Sequence, residues 1–421
     1  MRHFRKIIPL ALFLALPAPA FSRDGDSNTT PALRVFDDIM EETMQTLEIP
    51  GASLTIIKDG HILYAKGFGL ANVEKKKAVQ PDSVFRIASL SKCITAAAIM
   101  QLVEKRRFEL SDPAFSILKL KPFLEKGARV DPRLAKITVE DLLRHRAGWD
   151  EKAPDAPRWG PLTAQRLMGL NQLATTAEEV SLMMGKPLAF DPGTKMVYSN
   201  FGYLVLGRIV EAVSGMNYGD YVRQNILLPL GMKETNLART AETDRLPKEV
   251  TYYDADATLG PAPFGSDKGK AVRAPYRYNY LEALESFGGW ASSGSDLARF
   301  AAAFDDPDHC KILSAKSIET MWTPPSVIRH DEEKNRRSSL YYGLGWFIRK
   351  DGEGRIDAHH TGRIPGTGAL ISLHHNGIHW VVLMNKPTSA KSLGSYTATL
   401  NDRLKEAADA ITAWPTETSA N

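Results

Sequence analysis

The sequence predicts an α+β fold, in which an antiparallel sheet is built from N- and C-terminal segments and is flanked by helices. Two observations predict it. A hairpin pattern lies near each end of the chain, and helical patterns separated by Pro/Gly-rich loops fill the middle. The predicted division is a sheet region at 32–110 and 286–414, with a mainly helical region inserted at 111–285, all within one domain.

The N-terminal elements follow from local patterns. Apolar residues recur at the spacing of one helix face over 32–47, which predicts a first helix. Two β-rich runs follow, 52–58 and 61–66, and they are joined by Asp59-Gly60. Asp-Gly between such runs is a strong hairpin signal. The chain then turns helical over 96–103.

The middle and the C-terminal end supply the remaining elements. The same rules of periodicity and turn chemistry apply to them. They predict helices over 138–146, 201–214 and 393–413, and a second hairpin of 369–374 with 378–384 around Asn376-Gly377.

Composition excludes several classes of protein. The 421 residues have a formal net charge of +4, with 43% apolar and 24% charged residues. This balance is typical of a globular protein and argues against disorder or collagen. Apart from Lys75-Lys76-Lys77 there is no concentrated basic block, so we expect no nucleic-acid partner. Cys93 and Cys310 are too distant for a metal finger or redox pair, and we expect two free thiols.

The N-terminus has the pattern of a secretory signal peptide. Basic residues precede an apolar run over 7–16, and the small residues Ala18-Pro19-Ala20 follow it. The run is too short to span a bilayer, which takes about 20 apolar residues. We therefore expect residues 1–20 to be a signal peptide. The protein would be secreted or periplasmic, without a stable membrane anchor.

The segment Ser89-Leu90-Ser91-Lys92 contains a candidate nucleophile and base. With Ser89 at the start of a helix, Lys92 lies one turn later on the same face, where its amine can take the hydroxyl proton. The S-x-x-K pattern alone is weak, because Ser116-Ile117-Leu118-Lys119 also matches it. That second copy lacks a following helix of similar length.

Two further segments contain residues that could act together with Ser89 and Lys92. Tyr198-Ser199-Asn200 precedes a helical run, and His360-Thr361-Gly362 leads into the second hairpin. A phenol that passes a proton, an amide that orients a carbonyl and a strand N–H for an oxyanion are what acyl transfer needs besides nucleophile and base. Taken singly, Tyr198 could be a core aromatic, Asn200 a helix cap and Thr361-Gly362 a bend.

In this order, the three motifs resemble those of the serine β-lactamase and penicillin-binding-protein superfamily. The similarity is greatest to its class C-like branch, which also holds esterases and D-amino-acid peptidases. It covers about residues 34 to 410. It also includes three supporting segments, Leu142 to Trp149, Pro192-Gly193-Thr194 and Gly288 to Ser293.

The resemblance implies hydrolysis through an acyl-serine intermediate. Ser89 would attack the carbonyl, Lys92 and Tyr198 would share the proton transfer, and the backbone N–H groups of Ser89 and Arg363 would form the oxyanion hole. Because unperturbed Lys and Tyr pKa values lie near 10, at least one of them must be lowered. The resemblance implies no cofactor, and the residues that would bind substrate are Asn200, His360, Thr361 and Gly362.

Departures from the family pattern narrow the range of substrates that the resemblance implies. True β-lactamases and transpeptidases have lysine where this chain has His360, so the resemblance favours an esterase or D-amino-acid peptidase acting on a small ester, amide or peptide. Arg363 could replace the missing cation or point to solvent. The motifs S-D-N and G-x-S-x-G are absent. The alternative function is a penicillin-recognising sensor that binds without turnover.

Two other residue groups have open interpretations. Aromatic residues within 251–280 could line an acyl pocket or simply pack; they are Tyr252, Tyr253, Phe264, Tyr276, Tyr278 and Tyr280. A second group, His359, His374, His375 and His379, suggests zinc. However, neighbours in a strand point to opposite faces, so His374 and His375 cannot both face one ion. We expect no metal site.

Overall fold

In the computed structural model, the described residues are 31–325, 340–386 and 393–415, without the side chains of 31 and 393–397. The predicted signal peptide at 1–20 lies outside these ranges and stays a prediction. Within them, no helix is both long and apolar enough to cross a membrane. Cys93 and Cys310 are free thiols, as predicted.

The strands of the described residues run from near the N-terminus to near the C-terminus. They are β1 (Gly51–Lys58), β2 (His61–Asn72), β3 (Lys77–Ala78), β4 (Val84–Arg86), β5 (Asn236–Leu237), β6 (Gly260–Pro261), β7 (Ala271–Val272), β8 (Trp290–Ser293), β9 (Leu340–Tyr342), β10 (Phe347–Lys350), β11 (Ile356–Ile364), β12 (Thr367–Leu373) and β13 (Ile378–Met384).

The helices of the same ranges alternate with turns and loops. They are α1 (Arg34–Leu47), α2 (Ser91–Glu104), α3 (Ala114–Leu118), α4 (Val139–Leu143), α5 (Pro161–Met168), α6 (Thr176–Met184), α7 (Asn200–Ser214), α8 (Tyr218–Val222), α9 (Leu228–Leu230), α10 (Gly294–Ala302), α11 (Ala315–Trp322) and α12 (Leu393–Ala410).

The main sheet joins the two ends of the chain, as the sequence predicts. It has eight strands in the order β3-β2-β1-β13-β12-β11-β10-β9. β1 pairs antiparallel with β13, so that Ala52 lies opposite Met384 and Lys58 opposite Ile378. Asp59 and Gly60 both have positive φ, the conformation of a tight hairpin turn. The predicted α+β fold and both hairpins are therefore confirmed.

Helices cover both faces of this sheet. On one face, Phe36 and Met40 of α1 and Leu404 of α12 pack with Leu54 and Trp380 of the sheet. The other face belongs to a larger core that contains α2, α7 and α10. Residues 91–102 of α2 are buried on every side, as expected for a central helix. The turn that precedes α2 is thereby held between the sheet and the other helices.

The region 111–285 contains α3 to α9, together with the two-residue strands β5, β6 and β7. It is mainly helical, as predicted. β5 joins β4 and β8 in a small sheet, and so ties this region to the strand before α2. The boundaries 32–110, 286–414 and 111–285 themselves stay a prediction.

The helices predicted over 32–47, 201–214 and 393–413 are observed as α1, α7 and α12 with small changes at their ends, and the two other predicted helices differ more. The helix predicted over 96–103 begins at Ser91, because the pattern of small and apolar residues extends back to the preceding turn. The helix predicted over 138–146 ends at Leu143. The reason is that His145 adopts a left-handed backbone with φ 57°, which ends a helix.

Candidate active site

Ser89 lies in a strained turn at the start of the central helix. A 3-10 turn over Ala88–Leu90 leads directly into α2. Ala88 has φ 47°, an unusual value for a residue with a side chain. Such strain is commonly found at functional sites, where surrounding contacts maintain it. Ser89 is partly exposed while its neighbours Ala88 and Leu90 are buried, so its hydroxyl is the accessible group of the turn.

Lys92 is the centre of the polar contacts at this site. Its Nζ lies 3.0 Å from Ser89 Oγ, 2.8 Å from Asn200 Oδ1 and 2.9 Å from the carbonyl oxygen of Phe287. The side chain is buried, and burial lowers the pKa of Lys92 to about 7. A neutral amine is therefore available close to Ser89 near neutral pH.

Tyr198 also lies beside the nucleophile, but its environment differs. Burial raises the pKa of Tyr198 above its usual value of 10, and a hydrogen bond with Ser89 opposes that change. Lys92 Nζ lies 4.9 Å from the centroid of the Tyr198 ring. Of the two groups that the sequence paired as base, Lys92 has the pKa that suits a base, while the phenol keeps its proton and can pass it on.

His145 forms hydrogen bonds with both sequence neighbours of Tyr198 and so positions this tyrosine. Its carbonyl accepts a hydrogen bond from Val197 N at 2.9 Å, and its Nδ1 accepts one from Ser199 N at 3.1 Å. The imidazole ring packs on Tyr198, with centroids 4.2 Å apart. The sequence prediction gave His145 no role, although it lies in the segment Leu142 to Trp149 that carries part of the resemblance.

The N-terminus of α7 orients Asn200. The cap is Ser199, whose hydroxyl accepts from Gly202 N at 3.1 Å, so Asn200 is the first residue of the helix. Its side-chain oxygen is therefore free to accept the hydrogen bond from Lys92. The capping alternative considered for Asn200 is wrong, because Ser199 makes that contact.

His360 lies on β11 and faces the same core. Its Nδ1 lies 2.8 Å from the carbonyl oxygen of Thr361, which can only accept, so Nδ1 carries the proton. Its Nε2 then accepts from the Tyr342 hydroxyl at 3.1 Å. Burial lowers the pKa of His360 to about 3. Near neutral pH this position therefore has no positive charge, unlike the lysine of true β-lactamases.

Gly362 lets β11 approach the Ser89 turn closely. A Cβ at this position would lie 2.2 Å from the carbonyl oxygen of Ile87. The pairing of β10 with β11 ends at His359, so beyond it β11 pairs, among the described strands, with β12 alone. The next residue, Arg363, lies opposite Gly368 of β12. The arrangement is suited to an oxyanion hole, and that role of Ser89 N and Arg363 N stays a prediction.

The side chains of Thr361 and Arg363 point away from this core. Thr361 lines a cavity of about 260 Å³ between β11 and α12. The Arg363 side chain is exposed, and within the described part of the chain no hydrogen bond or ion pair holds it. The assignment of Thr361 to substrate binding stays a prediction, as does that of Gly362.

The aromatic residues of 251–280 do not form one pocket wall. Tyr252 and Tyr276 are fully buried and pack on the guanidinium of Arg86, at 4.4 Å and 5.1 Å from the ring centroids. Tyr278 is exposed. The buried pair supports the strand that precedes Ser89, so the acyl-pocket interpretation is wrong for these two residues.

Ser116 and Lys119 of the second S-x-x-K copy are not placed as a nucleophile and its base. Ser116 Oγ donates to the carbonyl of Pro113 at 2.7 Å, and Lys119 is exposed at the end of the short helix α3.

The histidines at the second hairpin contact carboxylates and do not converge on one metal position. His374 and His375 contact Asp357, and His379 contacts Asp305. Within the described ranges, no three His, Cys, Asp or Glu side chains are placed to hold a metal ion.

Comparison with known proteins agrees with this geometry. The Beta-lactamase family model matches residues 36–402. Penicillin-binding protein 4* of Bacillus subtilis (strain 168) is 29% identical over 318 residues, which are 74% of this chain and 62% of that protein. The chain thus spans less than two thirds of the length of this curated relative.

Two solved structures show the same fold. The D-amino acid amidase of Ochrobactrum anthropi SV3, complexed with D-phenylalanine, has a TM-score of 0.67 at 22% identity, over 90% of this chain and 99% of its own. EstCE1, a hydrolase with promiscuous acyltransferase activity, has a TM-score of 0.67 at 20% identity, over 89% and 98%. Because the family model matches most of its length, the chain belongs to the Beta-lactamase family, and it adopts the β-lactamase/transpeptidase fold.

Proposed function

We propose that the protein is an exported serine hydrolase that cleaves small esters or amides through an acyl-Ser89 intermediate. The observation that supports this proposal most directly is the buried Lys92 amine, 3.0 Å from Ser89 Oγ. Burial lowers the pKa of this amine to about 7, so it can act as a base near neutral pH. Export follows from the signal-peptide pattern at residues 1–20.

The proposed reaction has two stages. Lys92 takes the Ser89 hydroxyl proton while Oγ bonds to the substrate carbonyl carbon, and the resulting oxyanion accepts hydrogen bonds from Ser89 N and Arg363 N. The intermediate collapses, and the leaving group departs with a proton from Lys92, passed directly or through Tyr198. Water then attacks the acyl-serine with the same base, which releases the acid and restores Ser89.

The charge at the substrate side favours esters and amides over β-lactams. His360 is neutral because burial lowers its pKa, so the site lacks the fixed cation that binds the carboxylate of a β-lactam. The Arg363 side chain is exposed and points away from this core, so we propose that it does not replace this cation. The two solved structures named above are a D-amino acid amidase and a hydrolase with promiscuous acyltransferase activity, and these descriptions support the proposal of ester or amide hydrolysis.

Labelling with two serine-reactive probes tests the nucleophile. We expect a fluorescent fluorophosphonate to label the wild type and Ser116→Ala, but not Ser89→Ala. Labelling of Ser89→Ala would show that the nucleophile is another residue. The second probe, a fluorescent penicillin, tests for a sensor: a stable penicillin adduct together with no hydrolysis of p-nitrophenyl acetate, nitrocefin or D-Ala-D-Ala peptides would contradict the hydrolase proposal.

A further inference from the structure

Glu151 touches the catalytic segment without touching the nucleophile. Its Oε1 accepts one hydrogen bond from Ser199 Oγ at 2.6 Å and another from Phe201 N at 3.0 Å. These two donors lie on either side of Asn200, whose Oδ1 is bound by Lys92. A carboxylate here also suits the N-terminus of a helix, where backbone N–H groups are unpaired. Glu151 therefore fixes the position from which Asn200 faces Lys92.

Glu151 also acts on Lys92 through its charge. Burial alone lowers the pKa of Lys92, and the Glu151 carboxylate partly opposes this change. The other titratable side chains around the amine come from α2, the His145 segment, the start of α7 and β11; they are Cys93, His145, Tyr198, Tyr203 and His360. The loop before β8 contributes only the neutral Phe287 carbonyl.

Those five groups are uncharged near neutral pH. Burial raises the pKa of the Cys93 thiol and of the phenols of Tyr198 and Tyr203. It lowers the pKa values of His145 and His360. Of the described groups acting on Lys92, Glu151 is therefore the acidic side chain whose charge keeps the amine able to bind a proton.

We propose that Glu151 is a positioning residue of the active site: its carboxylate holds Ser199 and Phe201, so that Asn200 faces Lys92, and its negative charge favours the protonated form of the Lys92 amine. The proposal depends on the proposed function, because it assigns Glu151 a role in activating Ser89. It separates two contributions of one side chain, hydrogen bonding and charge.

Two substitutions separate these contributions. Glu151→Gln keeps an oxygen that can accept from both Ser199 and Phe201, but removes the charge. Lys92 would then lose its proton more easily, and we expect the acidic limb of the pH profile to move to lower pH by roughly half a unit or more. Glu151→Ala removes the acceptor as well, and we expect the rate near pH 8 to fall about tenfold or more.

The measured quantity is the second-order rate constant for fluorophosphonate labelling of Ser89 between pH 5 and 9. This rate reports attack by Ser89 whatever the natural substrate is. The matched control is Asp150→Asn, which removes the same charge one residue away, where the carboxylate accepts a hydrogen bond from Lys152 N and, among the described residues, from no group of the active site. We expect its profile to follow the wild type. Thermal midpoints and Ser199→Ala, which loses one of the two contacts and keeps the charge, show whether folding or geometry explains a change.

The outcomes are distinguishable. An unchanged profile for Glu151→Gln, with labelling still lost in Ser89→Ala, would overturn the role of Glu151 and leave the nucleophile intact. Equal shifts in Glu151→Gln and Asp150→Asn would also overturn it, because any nearby charge would then suffice. Labelling that persists in Ser89→Ala would instead contradict the proposed function.

Discussion

At the scale of single residues, the proposed chemistry depends on Lys92, whose amine loses its proton near neutral pH because it is buried. Lys92 is fully buried, and its three polar contacts are with uncharged groups: a hydroxyl, an amide and a carbonyl. None of these compensates the desolvation of an ammonium as a carboxylate contact would. The low pKa of Lys92 is thus a property of the whole set of neighbours.

This environment predicts the pH dependence of activity. Lys92 is protonated below pH 7 and neutral above it, since its pKa is lowered to about 7. We expect kcat/KM for an ester to rise with pH through about 7 and then level off. Lys92→Arg keeps a cation that cannot be deprotonated, and we expect a loss of about a thousandfold or more at every pH. Lys119→Arg, in the exposed second S-x-x-K copy, should leave the profile unchanged.

A second buried ionisable residue affects stability. Glu179 of α6 is 1% exposed, its Oε1 has no hydrogen-bond partner in the described structure, and burial raises its pKa from 4.5 to about 8. The folded protein thus favours the protonated carboxyl. This contribution to the free energy of unfolding is complete below about pH 4.5 and is lost as pH rises to about 8.

Glu179→Gln removes this dependence. We expect its free energy of unfolding, measured in urea, to improve relative to the wild type by about 1 to 3 kcal/mol between pH 5 and pH 8. The exposed Glu41→Gln in α1 should show no such trend. A constant difference between Glu179→Gln and the wild type at both pH values would contradict the raised pKa of this carboxyl.

At the scale of elements, the site depends on how closely β11 approaches the turn before α2. Residues 360–364 pair with β12 on one side, and the Ser89 turn packs against the strand at Gly362, which has no side chain to hold the two backbones apart. The sequence shows a glycine in a His-Thr-Gly motif. It does not show that Ile87, 275 positions earlier in the chain, is the reason for it.

A substitution tests this approach. In Gly362→Ala the new Cβ would lie 2.2 Å from the Ile87 carbonyl oxygen, so the strand must move away from Ser89. We expect kcat/KM to fall by about a hundredfold or more with a smaller effect on the thermal midpoint. Gly368→Ala on the neighbouring strand meets no atom closer than 3.6 Å and is the control. Equal activity of the two variants would exclude a role for this close contact.

At the scale of the whole molecule, the features that depend on local sequence patterns can be predicted from the sequence, and those that depend on contacts between distant segments cannot. The two hairpins and the order of Ser89, Tyr198 and His360 are visible because turn chemistry and motifs are local in sequence. The role of His145 is not visible. Its function depends on backbone contacts with Val197 and Ser199, and such contacts between distant segments leave no periodicity or motif in a single sequence.

The aromatic residues of 251–280 show the same limit. Their composition suggests a pocket, yet Tyr252 and Tyr276 enclose Arg86, which is more than 160 residues away in sequence and forms an ion pair with Glu249 at 3.4 Å. Whether an aromatic side chain lines a cavity or supports a buried charge is decided by tertiary packing. Sequence composition alone contains no information on that choice.

Asn385 joins parts of the chain that are distant in sequence. Its fully buried side chain accepts from Gly51 N at 2.8 Å and donates to the carbonyl oxygens of Leu70 and Thr251, each at 3.0 Å. It therefore links both N-terminal strands, the inserted region and the end of β13. Loss of this side chain removes a hydrogen-bond partner from three backbone groups, two of them buried.

We expect Asn385→Ala to lower the free energy of unfolding by about 2 to 4 kcal/mol, measured by urea denaturation at pH 7. Asn385→Asp should be worse at pH 7 than at pH 4, because an ionised carboxylate would face two carbonyl oxygens, whereas a protonated carboxyl can still donate a hydrogen bond to one of them. The exposed Asn171→Ala is the control. If Asn385→Ala matched that control, the three hydrogen bonds of the Asn385 side chain would make no net contribution to stability.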